Sequence, residues 1–317
     1  MISPEKYYYL NRFNLTSQLK EEGEREISIS SDFLNGKATG RFQFSTLVNG
    51  FKNLLNNYLP SFVETGRQTN KNNKRKNSNQ LEFDFYVKNT AILSKVFQIP
   101  LTIHSPGTLK GYFNERNNRI KLEGYFPSFT YDNTLYESSM ILLDNPQDEL
   151  QAFARITKQM EDEAKVNLSL KMSAYDDRLT TSVNWGNNTN ITYSGEFSAI
   201  TNFYKPTSPE NKFIHARVNI QPSDIIINDS IWHLRQSHIV IDSSRVAINN
   251  FCFEHDKQYL RINGNLTKES SDILAVNLNN IQLEYIFDIL QFHPVDFRGM
   301  ASGRAIVTQA LKNPSLN

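Results

Sequence analysis

The chain has 317 residues, and its 34 Lys and Arg against 33 Asp and Glu give a formal net charge of +1. This balance provides no electrostatic basis for binding nucleic acid or an anionic surface with the chain as a whole. Cys252 is the only cysteine, which excludes an intrachain disulfide, and its position between Phe251 and Phe253 predicts a small core residue.

Residues 1–63 are predicted to form β-strands followed by one short helix. Apolar and polar residues alternate in three early runs, which predict strands at Phe13–Leu15, Ile27–Ile29 and Phe42–Phe44, and Asn35-Gly36 is a strong hairpin-turn signal. Apolar residues then recur at helical spacing from Thr46 to Leu59, and Pro60 ends that pattern.

Residues 64–80 are polar and basic and have no periodicity. Such a run cannot bury enough apolar surface to order itself, so it predicts a disordered basic loop. No aromatic residue is interleaved to stack on bases, and we therefore expect no nucleic-acid partner.

Residues 81–317 are predicted to continue as antiparallel β-sheet repeats. Short apolar runs alternate with Asn, Asp, Gly and Ser, as in strands joined by turns. Val246–Ile248 and Phe251–Phe253 are predicted as two separate strands. Further short helices are predicted near 90–97 and 283–290, each followed by a proline.

The strands themselves are one-sided. From Ile120 to Phe126 apolar and polar residues alternate, which predicts one buried and one wet face, and Gly124 is predicted to form a bulge. The same form returns at Ile191–Phe197 and Leu260–Leu266. The candidate residues for an apolar groove are Phe83, Phe85, Val87, Ile120, Leu122, Phe126, Val166, Leu168, Leu170, Ile191, Tyr193, Phe197, Leu260, Ile262 and Leu266.

Three Gly-x-x-x-Gly pairs also repeat along the chain, at Gly36–Gly40, Gly107–Gly111 and Gly299–Gly303. Each is predicted to mark a tight turn or a bulge where the chain folds back across a sheet. Repeats of this kind favour an elongated, stacked architecture.

No sequence signature of catalysis is present. The chain has no phosphate-binding glycine loop, no His-Glu-x-x-His, no Gly-x-Ser-x-Gly and no cysteine pair for zinc. We expect no enzymatic activity, no catalytic residues, no metal and no cofactor.

The apolar strand faces must be covered, because burying one large apolar side chain is worth about 1.5–3 kcal/mol. Two arrangements are compatible with the sequence. The faces pack against one another in a closed sandwich or barrel, or they line an open groove that holds acyl chains.

Two stretches carry a resemblance to a known family. They are Ser30–Phe44 with Leu54–Pro60, and Val276–Asn280 through Phe297–Arg304. With these stretches the chain resembles the TamB/AsmA-like family, and in particular the Bacteroidetes-type translocation and assembly module TamB. The similarity is one of degenerate strand repeats over most of the chain, and residues 64–80 have no counterpart in it.

The resemblance implies a mainly β fold, an elongated, curled antiparallel sheet shaped like a taco around a hydrophobic groove. It also implies a periplasmic location, with an inner-membrane anchor in a segment outside this mid-chain piece. The family is linked to phospholipid transport between the two membranes. It is also linked to outer-membrane protein assembly with a barrel partner, which would meet regions outside this chain.

We therefore expect a segment that shields and conducts phospholipid acyl chains between the inner and outer membranes. The alternative is a scaffold for outer-membrane protein assembly that receives a client strand by β-augmentation. A third hypothesis, a carbohydrate-active β-sandwich, would require paired carboxylates in an aromatic cleft.

Overall fold

The computed structural model describes residues 8–20, 23–63, 78–160, 164–205, 214–242, 245–269, 271–282, 299–308 and 315–316. These residues form a mainly β, antiparallel structure with two α-helices, which confirms the predicted fold class. The chain divides into two compact units, with the main boundary between Asp176 and Asp177 and with Asn187–Thr189 also assigned to the first unit. This boundary falls inside 81–317, the range predicted as one continuous series of repeats.

The first unit contains ten strands and both helices of the described residues. The strands are β1 (Phe13–Leu19), β2 (Arg25–Ser31), β3 (Leu34–Arg41), β4 (Gln80–Val87), β5 (Leu101–Ser105), β6 (Gly107–Asn114), β7 (Arg119–Tyr131), β8 (Thr134–Asp144), β9 (Leu150–Gln159) and β10 (Lys165–Tyr175). The helices are α1 (Phe44–Tyr58) and α2 (Ala91–Phe97).

Each strand of this unit pairs antiparallel with the next strand along the chain, except that β5 lies outside this order. The ladder runs from β1 through β2, β3 and β4 to β6, and then through β7, β8 and β9 to β10. Strand β5 lies beside the second half of β7, next to the half that β6 occupies. Helix α1 connects β3 to β4, and α2 precedes β5.

Both helices form where the apolar spacing predicted them, but α1 begins at Phe44, so the strand predicted at Phe42–Phe44 was wrong. Helix α1 buries Gly50, Leu54 and Tyr58, which lie four residues apart on one stripe. Helix α2 spans seven residues and is capped by the next residue, Gln98, whose φ of 53° places it in the left-handed region. Neither helix combines the length and the hydropathy that crossing a bilayer requires.

The second unit is a further series of antiparallel strands. They are β11 (Arg178–Asn187), β12 (Ser194–Phe203), β13 (Ala216–Ile220), β14 (Ser223–Ile227), β15 (Ser230–Leu234), β16 (Ser237–Asp242), β17 (Arg245–His255), β18 (Gln258–Leu266), β19 (Ile273–Gln282), β20 (Met300–Thr308) and β21 (Ser315–Leu316).

In two places of the second unit, two short strands pair with one long strand along its length. Strands β13 and β14 both pair with β12, and β15 and β16 both pair with β17. Pro222 lies between β13 and β14, where its missing N–H interrupts the ladder. Strand β15 was not predicted, because its apolar residues Ile231, Trp232 and Leu234 do not alternate strictly with polar ones.

Bulges with left-handed residues allow several strands to keep one apolar face. Asn250 has a φ of 58° at the point where the register of β17 on β18 shifts, so the apolar row changes from Val246 and Ile248 to Phe251 and Phe253. These two pairs therefore belong to one strand, and the prediction of two strands was wrong. Ser138 in β8 and Asn280 in β19 lie at equivalent register shifts, with φ of 47° and 49°.

The predicted hairpin turn at Asn35-Gly36 was wrong, because both residues pair with β4 inside strand β3. The chain turns instead after Ser31, whose Oγ accepts a hydrogen bond from Leu34 N at 2.9 Å. Gly36 has a φ of 147°, and a Cβ there would lie 2.2 Å from the Asp84 carbonyl oxygen. Glycine is therefore required by close strand approach rather than by a turn.

Most of the other glycine predictions also need correction. Gly40, Gly111 and Gly303 lie inside β3, β6 and β20, not at turns. Gly107 is the first residue of β6, and Gly299 lies at a bend just before β20. Gly124 does not form a bulge, because β7 keeps an unbroken register with both neighbours around it. A Cβ at Gly124 would lie 2.7 Å from Ile141 Cγ2, so its role is to let a neighbouring side chain lie across the strand.

Two predicted segments lie wholly or largely outside the described residues. They are the helix at 283–290 and the basic loop at 64–80, of which only residues 78–80 are described. Of these three, Gln80 begins β4 and Asn79 is buried.

Candidate functional site

The register of the first unit places its apolar residues on one face of nine successive strands. Phe83 lies opposite Gly111, which lies opposite Leu122, and the same row continues through Leu143. Residues opposite each other across a ladder share a face. This surface, the first apolar face, includes Phe13, Leu15, Ile27, Ile29, Ala38, Phe83, Phe85, Val87, Leu109, Phe113, Ile120, Leu122, Phe126, Ile141, Leu143, Ala152, Ala154, Ile156, Val166, Leu168, Leu170 and Met172.

The opposite face of the same strands carries ion pairs, together with exposed side chains such as Tyr86, Tyr125 and Leu142. Glu123 accepts from Lys110 at 2.9 Å and from Lys121 at 2.8 Å, and Lys165 pairs with Glu137 at 2.6 Å. The hydrogen bond from Lys121 is the main cause that holds the pKa of Glu123 below its ordinary value. The sheet thus has one face with ion pairs among mixed side chains and one predominantly apolar face.

The middle of the first apolar face is only half-buried. Ile141 and Leu168 are 41% and 40% exposed, and Phe13 at the β1 edge is 57% exposed. In a closed sandwich the facing sheet would bury such residues almost completely. The described residues of this unit supply no such second layer over the middle of the face, which favours the open groove over the closed sandwich.

Helix α1 covers one end of this face. A Cβ added at Gly50 would lie 3.2 Å from Phe113 Cε1, so the helix backbone approaches the face closely. Phe113 and Ile120 are accordingly only 8% and 7% exposed. Glu115 ties the helix to the sheet, because its Oε1 accepts from Asn53 Nδ2 at 3.2 Å.

A buried polar network anchors the end of α1. Asn145 is 0% exposed, and its Oδ1 accepts from Ile120 N at 3.0 Å. Its Nδ2 donates to Tyr58 Oη at 2.7 Å and to the Asn118 carbonyl oxygen. Arg119 Nη1 donates to the carbonyl oxygen of Asn145 at 2.7 Å. Every amide atom of Asn145 therefore has a partner, as a fully buried amide requires.

Helix α2 and strand β5 line an open pocket at the other end of the face. Its volume is about 550 Å³, within the range of about 300–1,000 Å³ typical of small-molecule pockets. The lining residues are Val87, Thr90, Leu93, Ser94, Ile99, Leu101, Ile103, Phe126 and Phe129. None of them carries a charge, and two of them, Val87 and Phe126, also belong to the first apolar face.

The second unit repeats the amphipathic arrangement. Leu260 lies between Phe253 and Leu278, and Ile262 lies between Phe251 and Val276. Leu266 lies on the same face opposite Val246. Phe197 lies on it as well, because Phe203, six residues further along β12, is connected to Val246 through Ala216 and Ile241. Trp232 also lies on this side, 2% exposed and stacked on Phe253 at 5.0 Å between ring centroids.

Ile191 and Tyr193 do not belong to either sheet face. Strand β12 begins at Ser194, so both residues lie in the connection before it, 47% and 43% exposed. The alternation at Ile191–Phe197 therefore overestimated the strand by three residues. The remaining thirteen predicted groove residues lie on strands, nine in the first unit and four in the second.

Cys252 was predicted as a core residue, but it lies on the polar side of β17. Its Sγ donates to Glu254 Oε2 at 3.3 Å, while Phe251 and Phe253 point to the apolar face. Burial raises the pKa of the Cys252 thiol. Arg235 and Arg261 both pair with Glu254, and the hydrogen bond from Arg235 is the main cause that lowers the pKa of Glu254.

The pocket was missed in the sequence. One signal was present: Phe126 and Phe129 are three residues apart, so the apolar residues of β7 stop alternating at period two around Pro127. Ser138, with its left-handed φ, lies at the same level of β8. That phase change brings Phe129 to the apolar face, opposite Ile103. Which side of the sheet α2 would cover could not be inferred from its spacing.

Among the described residues, no group of three or more His, Cys, Asp and Glu side chains is placed to hold a metal ion. Comparison of the chain with protein-family models, with curated proteins and with solved structures gives no match in any of the three.

Proposed function

We propose that this chain binds phospholipid acyl chains on the first apolar face and shields them from water. It would act as one segment of a periplasmic protein, anchored in the inner membrane, that conducts phospholipids to the outer membrane. The single observation that carries the binding proposal is a continuous apolar face over nine strands whose middle is half-exposed.

The energetics favour an apolar occupant. Each large apolar side chain on this face would contribute about 1.5–3 kcal/mol if fully buried, and much of that gain is unrealised at residues such as Ile141 and Leu168. An acyl chain provides the missing cover and has no polar group that needs a partner on the face. Each methylene that it buries is worth about 0.8 kcal/mol.

The opposite face supports the orientation of the segment. Its Lys and Glu ion pairs stay in water, so the sheet separates an aqueous side from a hydrocarbon side. A phospholipid would lie with its tails on the first apolar face and its headgroup in water beyond the edge. Transfer between two membranes, and a barrel partner for regions outside this chain, are supported by the resemblance to TamB/AsmA-like proteins.

Native mass spectrometry of the purified chain tests the proposal. We expect adducts with phospholipid masses, and the same phospholipids in an organic extract of the protein. Acyl-chain binding would be contradicted if the purified protein carries no lipid and gains none after incubation with phospholipid vesicles.

A second function is favoured by strand β1. All seven of its residues are exposed, and among the described strands it pairs with β2 alone. An exposed strand edge can receive another strand by backbone hydrogen bonding. We infer that β1 could accept a client strand during outer-membrane protein assembly.

Photocrosslinking distinguishes this second function. A benzophenone side chain at Thr16 in β1 should capture an unfolded outer-membrane strand peptide, whereas the same group at Ser28 should not. Ser28 is the registered partner of Thr16 in β2 and is enclosed between β1 and β3, so it is a matched control. Equal capture at both positions, or none at Thr16, would rule out augmentation at β1.

A further inference from the structure

We propose that the pocket beneath α2 binds the methyl end of a single acyl chain whose remainder lies on the first apolar face. This inference rests on the proposed function and assigns a defined end site within it. The pocket would hold the chain end by exclusion of water, because its lining has no charge to attract a headgroup.

The chemistry of the lining selects a hydrocarbon. Its only side-chain polar atoms are the hydroxyls of Thr90 and Ser94, and both are already engaged by nearby backbone. Thr90 Oγ1 accepts from Ile103 N at 2.8 Å, and Ser94 Oγ donates to the Thr90 carbonyl oxygen at 3.0 Å and to the Leu101 carbonyl oxygen. A peptide entering the pocket would leave its own backbone groups without partners, at a cost that a hydrocarbon chain avoids.

The pocket is continuous with the first apolar face, and this continuity determines how the acyl chain would lie. Val87 and Phe126 line the pocket and also belong to that face, so a chain can pass from one to the other without crossing a polar residue. The opposite end of the face is covered by α1 over Phe113. The pocket is therefore the end at which an acyl chain can contact α2 and β5 as well as the strands of the face.

Neighbouring residues of α2 provide a matched pair of variants. Leu93 lines the pocket, whereas Ile92 is outside the lining and 37% exposed. Leu93→Gln places an amide in the pocket without a partner, and Ile92→Gln makes the same chemical change on the outer side. Far-UV circular dichroism of both variants checks that the fold is retained.

The test uses a fatty acid that carries a diazirine at its methyl end, with peptide mapping after irradiation. We expect labelling at Leu93 or Phe129, a loss of about tenfold or more in that labelling in Leu93→Gln, and retention within about twofold in Ile92→Gln. A second probe with the diazirine beside the carboxyl group should label residues outside the pocket.

The outcomes separate the two proposals. Methyl-end labelling confined to β8, β9 and β10 would overturn the pocket site while leaving acyl-chain binding to the face intact. The same conclusion would follow if Leu93→Gln and Ile92→Gln lost labelling equally. Absence of labelling anywhere on the first unit would overturn both the pocket and the proposed function.

Discussion

Asn145→Ala should destabilise the docking of α1 on the sheet. The substitution removes the acceptor of the Ile120 N–H, whose residue is only 7% exposed, and leaves that donor without a partner. A buried unsatisfied N–H costs about 1–3 kcal/mol. Loss of the bond to Tyr58 Oη adds about 1 kcal/mol, although this oxygen still accepts from Asn118 Nδ2 at 3.1 Å.

The expected loss in the free energy of unfolding is therefore about 2–4 kcal/mol. Urea denaturation followed by far-UV circular dichroism measures it, and hydrogen exchange of the Ile120 amide should accelerate. Asn57→Ala is the control, because it removes an exposed bond to Asn118 Oδ1 in the same region and should change stability by less than about 0.5 kcal/mol. Equal stabilities for the two variants, or unchanged exchange at Ile120, would refute this account of the network.

Three further predictions concern individual side chains. Gly124→Val should destabilise by about 1–3 kcal/mol in urea, because its Cβ would lie 2.7 Å from Ile141 Cγ2, and a wild-type midpoint would contradict that packing. The pKa of Glu254 is lowered in the folded chain, chiefly by Arg235, so its stabilisation is present above the ordinary value of 4.5 and is lost as the pH falls through the folded pKa. Glu254→Gln should therefore flatten the acid limb of the stability curve, and an unchanged limb would argue against the ion pairing. The raised pKa of Cys252 predicts slower alkylation by iodoacetamide at neutral pH than in the urea-unfolded chain, and equal rates would contradict it.

The sequence was sufficient where a local period decides the structure. Alternation at Phe83–Val87 and helical spacing at Ala91–Phe97 gave the correct element types, because burial of one face requires those periods. The same periods placed thirteen of the fifteen predicted groove residues on strands. The prediction for Ile191 and Tyr193 was wrong because alternation in the sequence does not show at which residue strand pairing begins.

Long-range contacts explain the remaining errors. Gly36 resembles a turn residue locally, but the Asp84 carbonyl oxygen on β4 is what excludes a side chain there. The left-handed bulge at Asn250 joins two apolar runs that look separate in the sequence. Whether an apolar face is covered depends on what lies opposite it, and no periodicity within a strand contains that information.

The proposed function requires acyl chains to bind the first apolar face and not the opposite one. Ile141 and Leu142 are adjacent in β8 and nearly equally exposed, at 41% and 37%, but they lie on opposite faces of the sheet. The rate at which the protein transfers a fluorescent phospholipid between vesicles should fall several-fold with Ile141→Asp and stay near the wild-type rate with Leu142→Asp. Only Ile141→Asp would place a charge beneath the bound acyl chain. Equal transfer by the two variants would contradict the account.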